Sequence, residues 1–242
     1  WTYAHHAIRT DFVDTLQAID RMLNATSVAE WEYEALKKWW TQVEAFLHAH
    51  HDHEEELFFP KIKERVVLPE RLTTDHKTLV EGLDAATEAV KKASDVASLR
   101  EAQALVRSVE ELLLPHLKEE EDDTLPLMMK HFTQKEIEKI EFKMVKKQTW
   151  SDLPHFYRRL GDDDAARRTH AVGTLGMPGF VFNSMRKNFV RYNVEYGWLV
   201  RDLMDPSLKP QHDQAREEYY AKKSGCLCFG GGGNRVDVVS PK

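Results

Sequence analysis

The chain states one unit of chemistry twice. His50-x-x-x-Glu54 runs on to Pro60, and His116-x-x-x-Glu120 runs on to Pro126, with ten residues from His to Pro both times. Upstream of each lies a second matched pair, His5-x-x-Ile8-x-x-x-Phe12 and His76-x-x-Leu79-x-x-x-Leu83. What constrains the fold is where these ionisable residues fall. Residues three and four apart share a helix face. Each of the six lies within an apolar stripe rather than opposite it: His5 with Ile8, Phe12, Leu16, Ile19 and Leu23; His50 and Glu54 with Leu36, Trp39, Trp40, Val43, Phe46, Leu47, Leu57 and Phe58; His76 with Leu72, Leu79, Leu83, Ala86 and Val90; His116 and Glu120 with Leu105, Val109, Leu112 and Leu113. A carboxylate turned into a core is costly unless it is paired or bound to a metal. A fold for this chain must therefore bring these faces together.

Four long helical stripes with short connections make an antiparallel up-down four-helix bundle the expected architecture of an all-α protein. The repeat supports this, since the first two helices answer the second two as hairpins about a pseudo-twofold axis would. Pro115 lies inside the fourth stripe, where it removes a helical hydrogen bond and is expected to kink the chain beside the ligands. The reading divides the chain into a bundle over 1–130, a helical C-terminal extension over 131–223 packing on it, and a flexible Gly-rich tail over 224–242. Within the extension, 133–148 reads as a charged amphipathic helix. The stretch 150–179 is broken by Pro154, Gly161, Gly173, Gly176 and Pro178, and 180–204 is an aromatic-rich helix.

Composition removes several classes of function. The 242 residues carry 34 Lys and Arg against 40 Asp and Glu, a net charge of -6. A phosphate-binding surface needs the opposite balance, so nucleic acid is not an expected partner. No apolar run approaches the length of about 18 residues that would mark a membrane-spanning helix. The only cysteines, Cys226 and Cys228, are too few for a disulfide framework and suit a reducing compartment, so a cytoplasmic location is expected. The first residue is Trp1 rather than Met, which leaves a preceding targeting segment open. Cys226 and Cys228, after Lys222 and Lys223, also form a candidate dual acylation site that would give membrane association, ranked below an unmodified tail.

Two carboxylates and four imidazoles on inner helix faces can satisfy one another through a metal centre. The expected ligands are His5, His50, Glu54, His76, His116 and Glu120. Imidazole with carboxylate and no thiolate suits iron, manganese or zinc, and one carboxylate from each half would bridge two ions about 3.5–4 Å apart. The neighbours read differently. His48, His51, His53 and Glu55 fall off the stripe, as a solvated face. His6 shares a polar face with Arg9. The run 119–123 is a solvated acidic end with Glu121 as a reserve ligand. His131, His155, His170 and His212 have no partner pattern.

At these residues the chain resembles the hemerythrin-like, or HHE cation-binding, domain family. The match is carried by His5, His50-x-x-x-Glu54, His76, His116-x-x-x-Glu120 and the Leu57-Phe58-Phe59-Pro60 segment, over about residues 1–130. The resemblance implies a four-helix bundle around a non-haem di-iron centre, oxo- or hydroxo-bridged. It also implies dioxygen, nitric oxide or peroxide as small ligand, or a part in iron handling; zinc and manganese rank below iron. Two departures matter. Oxygen carriers of the family place two histidines one turn apart on the third helix, where Leu72 and Val80 flank His76 here. They also use a carboxylate five residues after the fourth-helix histidine, where this chain has Glu120 at four and Glu121 at five. These move the expectation from reversible carriage to sensing, iron binding or slow redox chemistry. The Glu-x-x-His pairs of ferritin-like oxidases are absent. An oxidase or peroxide-consuming enzyme ranks below a binding protein because no proton donor is identifiable, and a structural module holding zinc is the remaining alternative.

Overall fold

The four stripes fold as four long helices. The computed structural model describes residues 2–160, 163–174 and 176–224, and no strand occurs among them. The protein is all-α. Helix α1 is Thr2–Asn24 and α2 is Glu30–His53; α3, Phe59–Lys63, continues α2 through an intervening π-turn over Glu54–Phe58. Helix α4 is Glu70–Lys92 and α5 is Val96–Glu119; α6, Leu125–His131, continues α5 through a second π-turn over Glu120–Thr124. The remainder is α7 (Gln134–Lys147), α8 (Asp152–Tyr157), α9 (Asp164–Arg168), α10 (Gly179–Tyr192), α11 (Trp198–Met204) and α12 (Lys209–Ser224). No helix among the described residues is long and apolar enough to cross a membrane. Cys226 and Cys228, with the rest of the predicted tail beyond Ser224, lie outside the described residues.

Local chemistry fixes the helix ends. The side chain of Asp95 accepts from the Ser98 backbone N–H at 2.7 Å while the Ser98 hydroxyl accepts from the Asp95 N–H at 3.1 Å, a reciprocal cap for the start of α5. The Glu32 carboxylate accepts from the Ala29 N–H at 2.6 Å at the start of α2. Pro115 is accommodated inside α5 without ending it.

Packing follows the stripes. Helix α1 packs on α2 and α5, and α4 packs on α2 and α5, so the four helices close a ring. Inside it lies one continuous apolar core that includes Phe12, Ile19, Leu36, Trp39, Trp40, Leu83, Val106 and Leu113. The indole N–H groups do not go unpaired: Trp39 donates to Thr15 Oγ1 at 2.9 Å and Trp40 to Thr87 Oγ1 at 2.8 Å. A second cluster, built from Phe58, Phe59, Ile62, Leu72, Met128, Phe132 and Ile140, joins α3, α4, α6 and α7 beyond the ends of α2 and α5. The extension contributes directly to the main core, where α11 packs on α1 and α2 through Val200 and Leu203.

Of the four π-turns among the described residues, those over Thr169–Thr174 and Asn193–Gly197 begin on no predicted ligand, whereas the two that follow α2 and α5 begin on one, Glu54 in one half and Glu120 in the other. Their cause is in the sequence. Pro60 and Pro126 have no N–H, so the α-helical bond each position would donate cannot form. The Phe59 N–H instead reaches the Glu54 carbonyl and the Leu125 N–H the Glu120 carbonyl, five residues back in each case. One extra residue is thus inserted into the helix at matching places, a local irregularity that recurs at functional sites. The repeat read in the sequence is therefore a repeat of backbone geometry as well as of side chains.

Candidate metal centre

The six predicted ligands converge, and all are buried: His5, Glu54 and Glu120 at 0%, His116 at 3%, His76 at 5% and His50 at 6% exposure. They arrive from the first turns of α1, the last turn of α2 with its π-turn, the second turn of α4, and the end of α5 with its π-turn. Each carboxylate addresses two groups of imidazoles with its two oxygens. Glu54 Oε1 lies 3.3 Å from His50 Nε2 and 3.8 Å from His5 Nε2, while its Oε2 lies 3.6 Å from His76 Nε2. Glu120 Oε2 lies 3.4 Å from His5 Nε2, while its Oε1 lies 3.4 Å from His116 Nε2 and 3.5 Å from His76 Nε2. The donors therefore sort into a His5–His50 side and a His76–His116 side, with a carboxylate oxygen from each glutamate on both.

These separations fit a metal ion. Charge-assisted hydrogen bonds close to about 2.7–2.9 Å, and here the atoms stop short of that. The Nε2 atoms of His50, His76 and His116 and both oxygens of Glu120 are buried without a hydrogen-bond partner. Orphaned buried groups of this kind are costly. Two donors each about 2.0–2.1 Å from one ion would sit about 3.0–3.4 Å apart, close to the spacing found. Two buried groups of donors could hold an ion, His5, His50, Glu54 and Glu120, and His51, His76 and His116, with the ligating atoms of each group within 4.8 Å of one another; a third, more exposed group is Glu44, His48 and Asp84.

Orientation comes from carboxylates outside the cluster. Glu55 Oε1 lies 2.8 Å from His76 Nδ1, and Glu121 Oε1 lies 3.0 Å from His5 Nδ1. With its Nδ1 on an outer carboxylate, each imidazole turns its Nε2 towards the cluster, the arrangement that aims a histidine at a metal. The support crosses between helices: α2's π-turn steadies α4's histidine, and α5's steadies α1's. Arg9 anchors Glu121 in turn, donating from Nη1 at 2.8 Å and Nη2 at 3.0 Å.

The charge states follow from these contacts. Burial lowers His50 and His51 well below the usual imidazole range, and the neighbouring imidazoles add to it, so both present lone pairs at neutral pH. Burial also acts against charge on His5 and His76, but it is outweighed: Glu121, Glu54 and Glu120 raise His5, and Glu120, Glu54 and Glu55 raise His76. Burial together with the charge of Glu120 pushes Glu54 up, whereas Glu120, although buried, is held low by His116 and His76. Glu121 is held down at about 2, by its bond to His5 first and, against some burial, by Arg9.

Some residues read as solvated are not. His51 is 3% exposed and stacks on His76, with ring centroids 4.4 Å apart, rather than facing solvent. Its ring also meets His116 edge-on at 6.0 Å. Glu55 is half-buried on His76, not free on a polar face. Glu121, the reserve ligand, stands behind His5. The signal for Glu55 and Glu121 was present: the repeat runs one residue past the ligands, as Glu54-Glu55 and Glu120-Glu121. No such signal marks His51, whose counterpart in the second copy is Leu117. His6 is exposed, as its polar face predicts, His131 is exposed too, and His53 and His48 are half-buried outside the centre.

A family model described as the hemerythrin HHE cation-binding domain matches residues 1–128. No curated protein and no solved structure matches the chain.

Proposed function

The chain belongs to the hemerythrin HHE cation-binding family, and from that premise we propose that it holds two iron ions and uses them to bind or sense dioxygen, nitric oxide or peroxide, or to handle iron itself. In this reading the ring of α1, α2, α4 and α5 is an antiparallel up-down bundle enclosing the centre. The observation that carries the proposal is the division of labour within each glutamate. One oxygen of Glu54 and one of Glu120 face His5 and His50, and the other oxygens face His76 and His116. That is the donor arrangement two carboxylate-bridged ions require. Hard carboxylate oxygens with imidazoles and no thiolate favour iron or manganese and accept zinc.

When bound, iron would supply reversible one-electron exchange and an affinity for small diatomic or peroxidic ligands. The chain's own residues supply the rest. Glu55 and Glu121 hold the Nδ1 atoms of His76 and His5, so the Nε2 atoms stay turned towards the cluster. Phe58, Phe59 and Phe46 are buried next to the ligand-bearing turns and exclude water from them. Burial and the charge of Glu120 raise the Glu54 carboxyl above its ordinary value; a metal ion takes the ionised carboxylate, so uptake weakens as pH falls.

The test is metal content with an optical spectrum, on protein loaded anaerobically with ferrous iron and then exposed to air. Two irons per chain, with new near-ultraviolet or visible bands that reduction removes, are expected. Zinc alone without a spectrum, or no metal, sinks the reading and leaves the histidines structural.

A further inference from the structure

His51 lies in no repeat, belongs to none of the ligand positions the two matched units define, and has no role in the fold that its surroundings explain. It is 3% exposed, and neither ring nitrogen has a hydrogen-bond partner. A neutral imidazole carries an N–H donor and a lone-pair acceptor. Burying both unpaired forfeits their hydrogen bonds to water, and a leucine, as stands at the matching position 117, would fill the space without that cost. The ring is not turned away from the centre. It stacks on His76, meets His116 edge-on and lies 5.7 Å from the ring of His50. One of its nitrogens lies within 4.8 Å of a ring nitrogen on each of His76 and His116.

We propose that His51 is a metal ligand, giving one ring nitrogen to the ion held by His76 and His116. Coordination uses the lone pair that is otherwise stranded. It also breaks the symmetry that the repeat imposes: the His5–His50 side has two imidazoles and the His76–His116 side three, with both glutamates shared. The two ions are then chemically distinct, and the imidazole-rich one tolerates borderline ions such as zinc better than its neighbour does. The inference rests on the metal-centre reading above and adds a ligand to it.

The experiment compares the full chain with His51→Phe, which keeps an aromatic ring in the stack, and His51→Ala, which opens a hole. Circular dichroism checks folding, and iron is titrated anaerobically against a chelator. The wild type is expected to bind two irons. Each variant is expected to bind one of them at least tenfold more weakly, while the other is unchanged. Added imidazole should restore the lost affinity in His51→Ala, and benzene, which fills the same hole without a nitrogen, should not. If both variants keep two irons at wild-type affinity, or if benzene rescues as well as imidazole, the ligand role is wrong and the metal centre stands. If the wild type takes up no iron, the metal-centre reading fails and this inference falls with it.

Discussion

A single helical turn separates residues of opposite fate at the end of α2. His50 is buried with its Nε2 3.3 Å from Glu54, whereas His53 is half-buried outside both donor groups. His50→Ala and His116→Ala should therefore each lose metal in a stoichiometry assay and lower the thermal midpoint of loaded protein, while His53→Ala should do neither. A loss on His53→Ala equal to that on His50→Ala would mean that α2 presents a different face. The residues behind the ligands make a finer prediction. Glu121→Gln keeps the size of the side chain but weakens its hold on His5 and Arg9, and should reduce metal affinity about 10–100-fold without unfolding the chain, as measured by chelator competition and circular dichroism. The convergence of the six candidate ligands was legible because an ionisable residue in an apolar stripe is anomalous, and six such anomalies in a repeated order leave few explanations. His51 was not legible for a geometric reason. A stripe treats a helix as facing one neighbour, but α2 packs on α1 and α4 at once. The residue one step round the helix from His50 is then buried too, against the other partner.

At the scale of elements, the prolines were the least transparent signal. A proline ordinarily marks where a helix stops, yet the chain passes Pro60 and Pro126 in helical form by inserting one residue. The inserted turns carry Glu54 and Glu120 at their heads and Phe58 and Thr124 at their tails, all four buried. A periodicity search assumes one repeat length and cannot see a phase change of one residue. The segment after α6 was easier: Gln134–Lys147 was expected as an amphipathic helix over 133–148, and its attachment is explicit. Arg65, just beyond α3, donates to the His131 carbonyl at 2.8 Å, pairs with Glu136 and lies over the Phe132 ring at 4.5 Å. The pairing with Arg65, and then the bonds from Thr133, hold the Glu136 carboxyl down at about 2, against an ordinary value of 4.5. Its folded-state pKa is depressed, so its contribution to stability is complete above 4.5 and is lost as pH falls from there towards about 2. Glu136→Gln should flatten the fall in urea midpoint over that acid window relative to wild type, and leave the difference between the two proteins constant above pH 5. A difference that shrank as pH rose through that window would reverse the assigned sign.

For the molecule as a whole, the question is what fixes the extension to the helices that carry the metal donors. The answer is a buried polar junction as well as apolar packing. Asp11 on α1 is 1% exposed and accepts from His155 Nε2 at 2.6 Å and from Arg158 Nη2 at 2.5 Å; Arg158 also reaches Asp14 at 2.5 Å. The Tyr192 hydroxyl, on α10, completes the chain by donating to His155 Nδ1 at 2.6 Å, and the ring of Trp39 on α2 stacks against His155. None of this could be read in advance. His155 and Asp11 are 144 residues apart in sequence, and neither repeats nor sits in a motif, so His155 showed no partner pattern and nothing singled out Asp11. Burying such a network stabilises little beyond what apolar side chains of the same shape would, but breaking it is expensive because the remaining partners stay buried and unsatisfied. Asp11→Ala would leave the Arg158 guanidinium without its inner partner and His155 without its acceptor. The expected cost is about 3–5 kcal/mol, read as a lowered urea midpoint in metal-free protein. Tyr192→Phe removes only the terminal hydroxyl and should cost about 1–2 kcal/mol. If the two substitutions cost the same, Asp11 is not the hub. If Asp11→Ala proves neutral, the extension is held by Val200 and Leu203 in the apolar core alone.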